Sequence, residues 1–427
     1  MLQRYTPIEI EKDVKLHCIQ TDKFKTNLVS IYFQRPLIRE EVTQNALLSM
    51  IFPRGTENYP SAKVLTKELE SLYGAFLGSD VAKKGEKNIL QFRMQIANES
   101  YLEEKGVFNR GLKLMNEFIN SPYLENNGFS NIYMEQEKAN LAERIEGRIN
   151  DKIKYALERC IEEMCKDEKF ALYEYGSKED LSHITSQSLY AHYQEILLNS
   201  PIEIFVVGDM EQEFVEEQIR KSFQFKRETI TRSEREKIDC VPKEIKYIEE
   251  HLEINQGKLN MGFRTNIPYE SELYQPLVLF SNILGGGPNS KLFKNVREKE
   301  SLCYYIFSRI EKFKSLMLIG SGIDFENYDK AVTLINQEIE EMKKGNFSEE
   351  DIESAKKSII TSIRSLTDTP SMLADFYYTQ SLSNNLDNIE AIIEKIENVK
   401  KNEIIEAGKE IYLDTIYFLR NRKEDIK

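Results

Sequence analysis

The chain has 427 residues, of which 41% are hydrophobic and 30% charged, and its 71 acidic side chains outnumber the 58 basic ones, giving a formal net charge of −13. This composition is that of a globular protein, and the length exceeds what one hydrophobic core usually organises, which predicts two domains. The negative charge argues against a nucleic-acid-binding protein and against attachment to an anionic membrane surface, since both need basic side chains.

The start of the chain and the cysteines indicate the cellular compartment. Residues 1–6, MLQRYT, lack the apolar core of a signal peptide, and no stretch approaches the roughly 20 apolar residues of a membrane helix. The cysteines are odd in number and scattered, which is typical of reduced thiols that pack in a core. They are Cys18, Cys160, Cys165, Cys240 and Cys303. We therefore expect a cytoplasmic protein without a membrane span.

The first half of the chain alternates strand-like and helix-like segments. In chain order these are a strand at 28–33, a helix at about 40–52, a helix opened by residues 59–61 and continuing to about 73, a strand at 90–96, helices at about 102–119 and 130–166, and a strand at 201–209 closed by a turn. Residues from about 220 to 245 are rich in Lys, Arg and Glu and poorly periodic, which predicts a linker.

The second half repeats this order. It has a strand at 259–263, a helix at 274–284, a glycine loop at 285–287 leading into a helix around 297, a strand at 316–323, a helix that begins near Ser348 and a last strand at 415–419. Ser348 is a favourable N-cap because its hydroxyl can accept a backbone N–H, and the three acidic residues that follow it favour the start of a helix through its dipole. The apolar residues of the helix that begins near Ser348 continue at helical spacing to Leu366.

A short sequence match supports an internal repeat. Residues 67–72, KELESL, align without gaps with residues 297–302, REKESL, and both segments lie one helix after a first strand. We therefore predict an α+β fold of two homologous domains, each a mainly antiparallel sheet with helices packed on one face. The predicted boundaries are 1–220 and 246–427, with 221–245 as the linker. Two such domains facing each other would enclose a chamber.

Two motifs suggest a family. Residues 285–304 read GGGPNSKLFKNVREKESLCY, with Arg297 and Tyr304 seven positions apart, and residues 45–56 read NALLSMIFPRGT. The first motif resembles the Arg-x6-Tyr segment of the M16 (pitrilysin/insulinase, processing-peptidase-like) zinc peptidases. The second stands where that family carries its inverted zinc motif, His-x-x-Glu-His. The resemblance covers essentially the whole chain, and it too implies a chamber between two α+β halves.

The metal half of the motif is lost. A hydrolytic zinc site needs three protein ligands, an open position for water and a carboxylate base. Asn45, Leu48 and Ser49 stand at the three chemical positions, where an amide and a hydroxyl are poor ligands and Leu48 accepts no proton. Glu137 best resembles the family's third ligand, but alone it would hold zinc weakly. We therefore expect no bound metal and no cofactor.

Histidines elsewhere do not replace the missing ligands. His17, His183, His192 and His251 form no pair at ligand spacing, and a surface or core position is the simpler explanation for each.

The substrate half of the motif is present. Arg297 and Tyr304 are hydrogen-bond donors suited to a peptide carbonyl or a developing oxyanion, and the resemblance implies that they hold the substrate backbone. On spacing alone, an arginine in a helix-end salt bridge and a tyrosine packed in the core are the simpler explanation. The matching Gly-Gly-Gly, Leu-Phe and Val-Arg-Glu-Lys residues around the pair favour the functional interpretation instead. We expect the helix to end near Glu300 and Tyr304 to lie on the strand that follows. Ser301 departs from the glycine usual in the family.

The resemblance implies a partner. Some M16 proteins are heterodimers in which one subunit carries zinc and the other the Arg/Tyr pair. Residues 22–27 and the chain length resemble the bacterial YmfF-type subgroup, which is associated with modification of elongation factor P. We therefore expect a peptide-binding subunit that works with a zinc-motif-bearing partner, although a homodimer is also compatible. The alternative is a purely structural M16 scaffold.

Overall fold

The computed structural model describes residues 6–385 and 387–422. Residues 1–5, which include most of the segment used to argue against a signal peptide, lie outside the described residues. The chain divides into two compact units. Unit 1 comprises the described residues of Met1–Glu146, Leu172–Arg235 and Leu366–Asn388. Unit 2 comprises those of Gly147–Ala171, Glu236–Ser365 and Ile389–Lys427.

The strands form one large sheet in each unit. In chain order they are β1 (Ile8–Glu11), β2 (Val14–Gln20), β3 (Thr26–Pro36), β4 (Phe76–Lys84), β5 (Lys87–Ala97), β6 (Leu124–Glu125), β7 (Gly128–Phe129), β8 (Ile202–Gly208), β9 (Lys246–Leu252), β10 (Gly257–Arg264), β11 (Cys303–Glu311), β12 (Leu316–Ile323) and β13 (Tyr412–Asn421). Strands β6 and β7 form a separate small hairpin.

The helices cover these sheets. They are α1 (Arg39–Ile51), α2 (Ala62–Ser71), α3 (Val107–Asn120), α4 (Asn131–Gly147), α5 (Lys152–Met164), α6 (Ser186–Asn199), α7 (Gln212–Ser222), α8 (Tyr274–Gly285), α9 (Tyr328–Lys343), α10 (Glu349–Ser365), α11 (Pro370–Leu382), α12 (Ile389–Asn398) and α13 (Lys401–Lys409). A π-helical segment, Phe293–Lys299, precedes β11. Among the described residues, no helix is long and apolar enough to cross a membrane.

The two sheets share one topology. In unit 1 the strand order is β1-β2-β8-β3-β5-β4, and in unit 2 it is β11-β12-β10-β13-β9. Apart from the extra edge strand β1, each unit therefore has the order first, last, second, fourth, third. The first and last strands run parallel in both units, as β2 with β8 and β9 with β13, and every other pair in the two sheets is antiparallel. The predicted α+β fold with mainly antiparallel sheets is confirmed.

Each unit takes one helix from the other half of the chain. Helix α11 packs on β3 and β8 of unit 1, where Tyr378 stacks on Tyr32 with ring centroids 4.0 Å apart. Helix α5 packs on β10 and β13 of unit 2, where Met164 and Cys160 lie over Gly262. The sequence prediction placed helices on one face of each sheet, and these exchanged helices cover part of the other face.

The alternation of β3 explains why it accepts helices on both faces. Val29, Ile31 and Phe33 enter the main hydrophobic core of unit 1, whereas Tyr32 points to the opposite face and meets α11. Residues 27–33 of this strand are all buried and include no charged side chain, as expected where a strand is covered on both faces.

The prediction of one helical segment over residues 130–166 was wrong at its centre. The structure ends α4 at Gly147 and begins α5 at Lys152, with a short 3₁₀ turn between them. Asp151 caps α5 by accepting the Lys154 backbone N–H at 3.0 Å. The N-cap predicted at Ser348 is confirmed, because Ser348 Oγ accepts the Asp351 N–H at 3.1 Å and the Asp351 carboxylate accepts the Ser348 N–H at 2.9 Å.

Replacing Tyr378 tests the exchanged helix. Tyr378 is 1% exposed, so Tyr378→Ala leaves a cavity against Tyr32 and should cost about 3–5 kcal/mol of unfolding free energy. Tyr378→Phe keeps the ring stack and should cost under about 1 kcal/mol. Urea unfolding followed by tyrosine fluorescence measures both. Equal stability of the two variants would contradict the packing described.

Candidate functional site

The segment that corresponds to the zinc motif is part of the hydrophobic core. Asn45, Leu48 and Ser49 all lie on α1, with exposures of 0%, 0% and 3%. Leu48 belongs to the main core cluster of unit 1. The Ser49 hydroxyl donates to the Ala46 carbonyl at 2.7 Å, within its own helix. None of the three side chains is therefore presented to solvent, where a substrate or a metal-bound water would be.

Asn45 links three elements of the fold. Its Nδ2 donates to Asn88 Oδ1 on β5 at 2.9 Å. Its Oδ1 lies 2.8 Å from Nε2 of His192 on α6. Because the Asn45 amide N–H is used toward Asn88, its oxygen is the acceptor and His192 Nε2 is the donor. The amide thus holds α1 to β5 and α6 through buried hydrogen bonds.

His192 is held neutral in this arrangement. Burial lowers the pKa of His192 to about 4, an effect that the Glu41 carboxylate opposes and Arg35 reinforces. A neutral imidazole with one N–H fits its role as a donor to Asn45. The sequence analysis assigned His192 to a surface or core position, and the structure places it in the core at 8% exposure.

Glu137, the position resembling the third zinc ligand, is paired with an arginine. It lies on α4 with 4% exposure and accepts hydrogen bonds from the Arg54 guanidinium. Its second oxygen accepts from Asn140 Nδ2 at 3.1 Å. A buried carboxylate requires compensation, and here the guanidinium supplies the positive charge. The sequence analysis did not anticipate Arg54 as the partner.

The residues at these positions do not fit zinc. An amide already engaged on both sides, an alkyl side chain and a hydroxyl bonded to its own helix leave no imidazole or thiolate donor, and the carboxylate is neutralised by Arg54. Across residues 6–385 and 387–422, no group of three or more His, Cys, Asp or Glu is arranged to hold a metal ion.

The remaining histidines and the cysteines have ordinary surroundings. The His17 ring stacks on the Phe205 ring with centroids 4.0 Å apart, and His17 Nε2 lies 3.0 Å from Glu203 Oε2. His251 lies 2.9 Å from Glu249 on the exposed face of β9, and His183 is exposed. All five cysteines are free thiols.

The substrate-side motif has an irregular backbone. The π-helical segment ends at Lys299 and β11 begins at Cys303, so the helix end predicted near Glu300 is confirmed. Ser301 adopts a φ of 53°, in the left-handed region that favours glycine. This conformation gives a physical reason why glycine is usual at the matching position. Serine adopts it here, and the turn is kept.

Tyr304 is the extra residue of a β-bulge. Cys303 pairs with Ile323 and Tyr305 pairs with Gly322, which leaves Tyr304 between them without a partner on β12. Bulges re-aim side chains and are frequent beside active sites. Tyr304 is 61% exposed, and its hydroxyl makes one long hydrogen bond, 3.4 Å, to Asp324. It is therefore not a core tyrosine.

Arg297 is also exposed. Within the described part of the chain its guanidinium makes no hydrogen bond or ion pair, and its nearest ring contact is its own helix neighbour Phe293, with 4.5 Å to the ring centroid. Burial raises the pKa of the Cys303 thiol, whereas a Ser321 hydrogen bond and the Arg297 charge oppose the rise. Arg297 therefore acts electrostatically on the residue next to Tyr304.

The chemistry available at this position is hydrogen-bond donation. A guanidinium and a phenol on exposed backbone can bind carbonyl oxygens of an extended peptide or an oxyanion, but neither is a nucleophile or base at neutral pH. In unit 2, the salt-bridged arginine and the packed tyrosine that spacing also allowed are both absent at residues 297 and 304.

His192 makes a testable contribution to acid sensitivity. Its folded pKa of about 4 lies below the ordinary 6.5, so the unfolded chain binds a proton that the folded chain does not, and stability falls as pH decreases from 6.5 toward 4. Between pH 6.5 and 5 this amounts to about 1.5 kcal/mol of unfolding free energy. His192→Gln keeps an N–H donor for Asn45 and should remove this slope. Urea unfolding of both proteins at pH 6.5 and pH 5 measures this loss. An equal loss of unfolding free energy in the unaltered chain and in His192→Gln would contradict the prediction.

Comparisons with known proteins agree with this description. The sequence model described as "Peptidase M16 inactive domain" matches residues 183–359. A relative from Bacillus subtilis (strain 168), described as "Probable inactive metalloprotease YmfF", is 40% identical over 409 residues, which cover 95% of each chain. The predicted resemblance to the M16 family and its YmfF-type subgroup is confirmed.

Solved structures support the same assignment. A conserved protein from Enterococcus faecalis V583 matches with a TM-score of 0.92 and 30% identity, covering 99% of this chain and 100% of that one. A protease from Helicobacter pylori matches with a TM-score of 0.82 over 98% of this chain and 100% of its own, at 15% identity, which speaks for the fold alone. The chain therefore belongs to the M16 peptidase family, as one of its inactive peptidase-like proteins.

Proposed function

We propose that this chain is the non-metal-binding subunit of a two-subunit M16 peptidase, in which Arg297 and Tyr304 bind and orient a peptide for a partner that carries the zinc motif. The zinc of that partner would supply the activated water and polarise the scissile carbonyl. This chain would supply no ligand, base or nucleophile. Its contribution is to hold the peptide backbone in place by hydrogen bonds.

One observation carries the proposal. Arg297 and Tyr304 are both exposed on irregular backbone; among the described residues Arg297 has no structural partner and Tyr304 makes one long hydrogen bond. Fold stability alone gives no reason for an arginine and a tyrosine at these positions, because exposed side chains contribute little to it. A donor without a partner in the described chain, or with a single long hydrogen bond, is available to a ligand.

A structural role is the second candidate. Asn45, Leu48 and Ser49 have been absorbed into the packing of α1, as expected for a chain retained only as a scaffold. A scaffold would need neither the Tyr304 bulge nor the exposed Arg297. A homodimer in place of the heterodimer is compatible with both candidates.

Further parts of the proposal follow from the resemblance. We propose residues 1–220 and 246–427 as the homologous domains, supported by their shared strand order. We propose a cytoplasmic location, for which five free thiols are suitable. A link to modification of elongation factor P would be tested by comparing complex formation with that protein and with bovine serum albumin.

Variants of the pair test the peptide-binding role. In the complex reconstituted with a zinc-motif-bearing M16 protein, Arg297→Ala and Tyr304→Phe should each lower kcat/KM for a peptide substrate by about 100-fold, the usual effect of losing one donor to a developing oxyanion. Arg297→Lys should recover only part of the loss, because lysine keeps the charge but not the planar fork.

The matched control is Lys299→Ala, which removes the same charge from the same exposed segment two residues away. It should leave kcat/KM within about twofold, and all variants should unfold within about 0.5 kcal/mol of the unaltered chain. Full activity of both Arg297→Ala and Tyr304→Phe, with complex assembly still dependent on this chain, would favour the scaffold instead.

A further inference from the structure

Unit 2 contains a buried lysine that has no carboxylate partner. Lys258 begins β10 and is 8% exposed. Its Nζ donates to Gln256 Oε1 at 2.5 Å and lies 5.6 Å from the centroid of the Tyr305 ring. Across the described residues, no Asp or Glu lies within ion-pair distance of it. A buried ammonium without a counter-ion costs stability, so its retention needs another reason.

Lys258 lines a cavity of about 770 Å³. One wall is the start of α5, with Asn150, Asp151 and Ile153, and the other is the turn before β10, with Asn255. The cavity volume is in the range of small-molecule sites, although the space is largely open to solvent. Amide side chains and the lysine therefore offer several hydrogen-bond donors around one space.

The N-terminus of α5 adds positive potential to the same cavity. The Asp151 carboxylate caps this 13-residue helix through the Lys154 N–H, and the first two helical residues, Lys152 and Ile153, belong to the lining. The helix dipole favours an anion at this end. Burial lowers the pKa of the Lys258 ammonium, as expected for a cation that lacks a counter-charge.

We infer that this cavity binds the carboxylate of a peptide, with Lys258 as the counter-ion and the neighbouring amides as donors. Lys152 and Lys258 together balance the charges of Asp151 and Glu253 in the lining, so a singly charged carboxylate meets less repulsion there than a doubly charged phosphate. A C-terminal carboxylate and an acidic side chain present the same group. The inference does not depend on Arg297 or Tyr304.

Binding of three labelled peptides to the purified full chain tests the inference. The probes are hexapeptides of Ala and Leu with an N-terminal dansyl label, which carries no carboxylate: one with a free C-terminus, one amidated, and one amidated with an internal Glu. At least one carboxylate-bearing peptide should bind about tenfold or more tightly than the neutral amide, as a charge-assisted hydrogen bond implies. The member that binds identifies the source of the carboxylate.

Variants connect the preference to Lys258. Lys258→Met keeps the alkyl stem and should abolish the preference for the carboxylate while raising the thermal midpoint, because an uncompensated buried charge is removed. Glu253→Gln, at the exposed rim, should tighten binding several-fold by removing a like charge, and Asn255→Asp should weaken it. These rim variants keep the test valid if Lys258→Met does not fold.

Equal affinity of the three peptides would overturn the inference. So would a carboxylate preference that persists in Lys258→Met, or one that changes in neither Glu253→Gln nor Asn255→Asp. The double variant Arg297→Ala/Tyr304→Phe serves as the independent control. It should keep the carboxylate preference, so failure of the proposed function and failure of this inference are separable.

Discussion

The hydrogen bonds of the buried Asn45 amide make α1 a packing element in the first half of the chain. The amide accepts from His192 and donates to Asn88, and so holds α1 against a second helix and a strand of the same unit. A histidine at this position would have to present a basic nitrogen to a metal, but an amide with both ends engaged has nothing left to offer. The helix that carries zinc in peptidases of this family is, in this chain, a packing element.

Charge compensation follows the same logic. In a zinc peptidase a buried carboxylate is balanced by the metal ion, whereas here Glu137 is balanced by Arg54. Arg54 here takes the place of the metal ion, because a buried carboxylate with neither a metal ion nor another positive charge beside it would cost stability. The second half of the chain shows the opposite pattern, since Arg297 and Tyr304 remain exposed. Within the part of the chain that the structure describes, Arg297 has no partner and Tyr304 makes one long hydrogen bond. This contrast between an absorbed half-site and an open one underlies the proposed division of labour.

Local features of this fold could be predicted from the sequence because they depend on neighbouring residues. Ser348 and Asp351 cap α10 within one turn, and the helix end before Ser301 is a matter of a few backbone angles. The motif positions on α1 and β11 followed from resemblance. The exchange of α5 and α11 could not be predicted from the sequence, because periodicity reveals that a helix has an apolar face but not which sheet covers that face.

Pairings across long sequence separations were missed for the same reason. His192 and Asn45 are 147 residues apart, and Arg54 and Glu137 are 83 apart. Nothing in a single sequence connects them. The bulge at Tyr304 and the burial of Lys258 away from every described carboxylate are likewise properties of strand register and packing. The measurement that tests the central claim most directly is the zinc content and peptidase activity of the purified chain, alone and mixed with an M16 protein that carries His-x-x-Glu-His. We predict no zinc and no activity for the chain alone, and activity in the mixture that exceeds that of the partner alone. Stoichiometric zinc with peptidase activity in this chain alone would contradict the account.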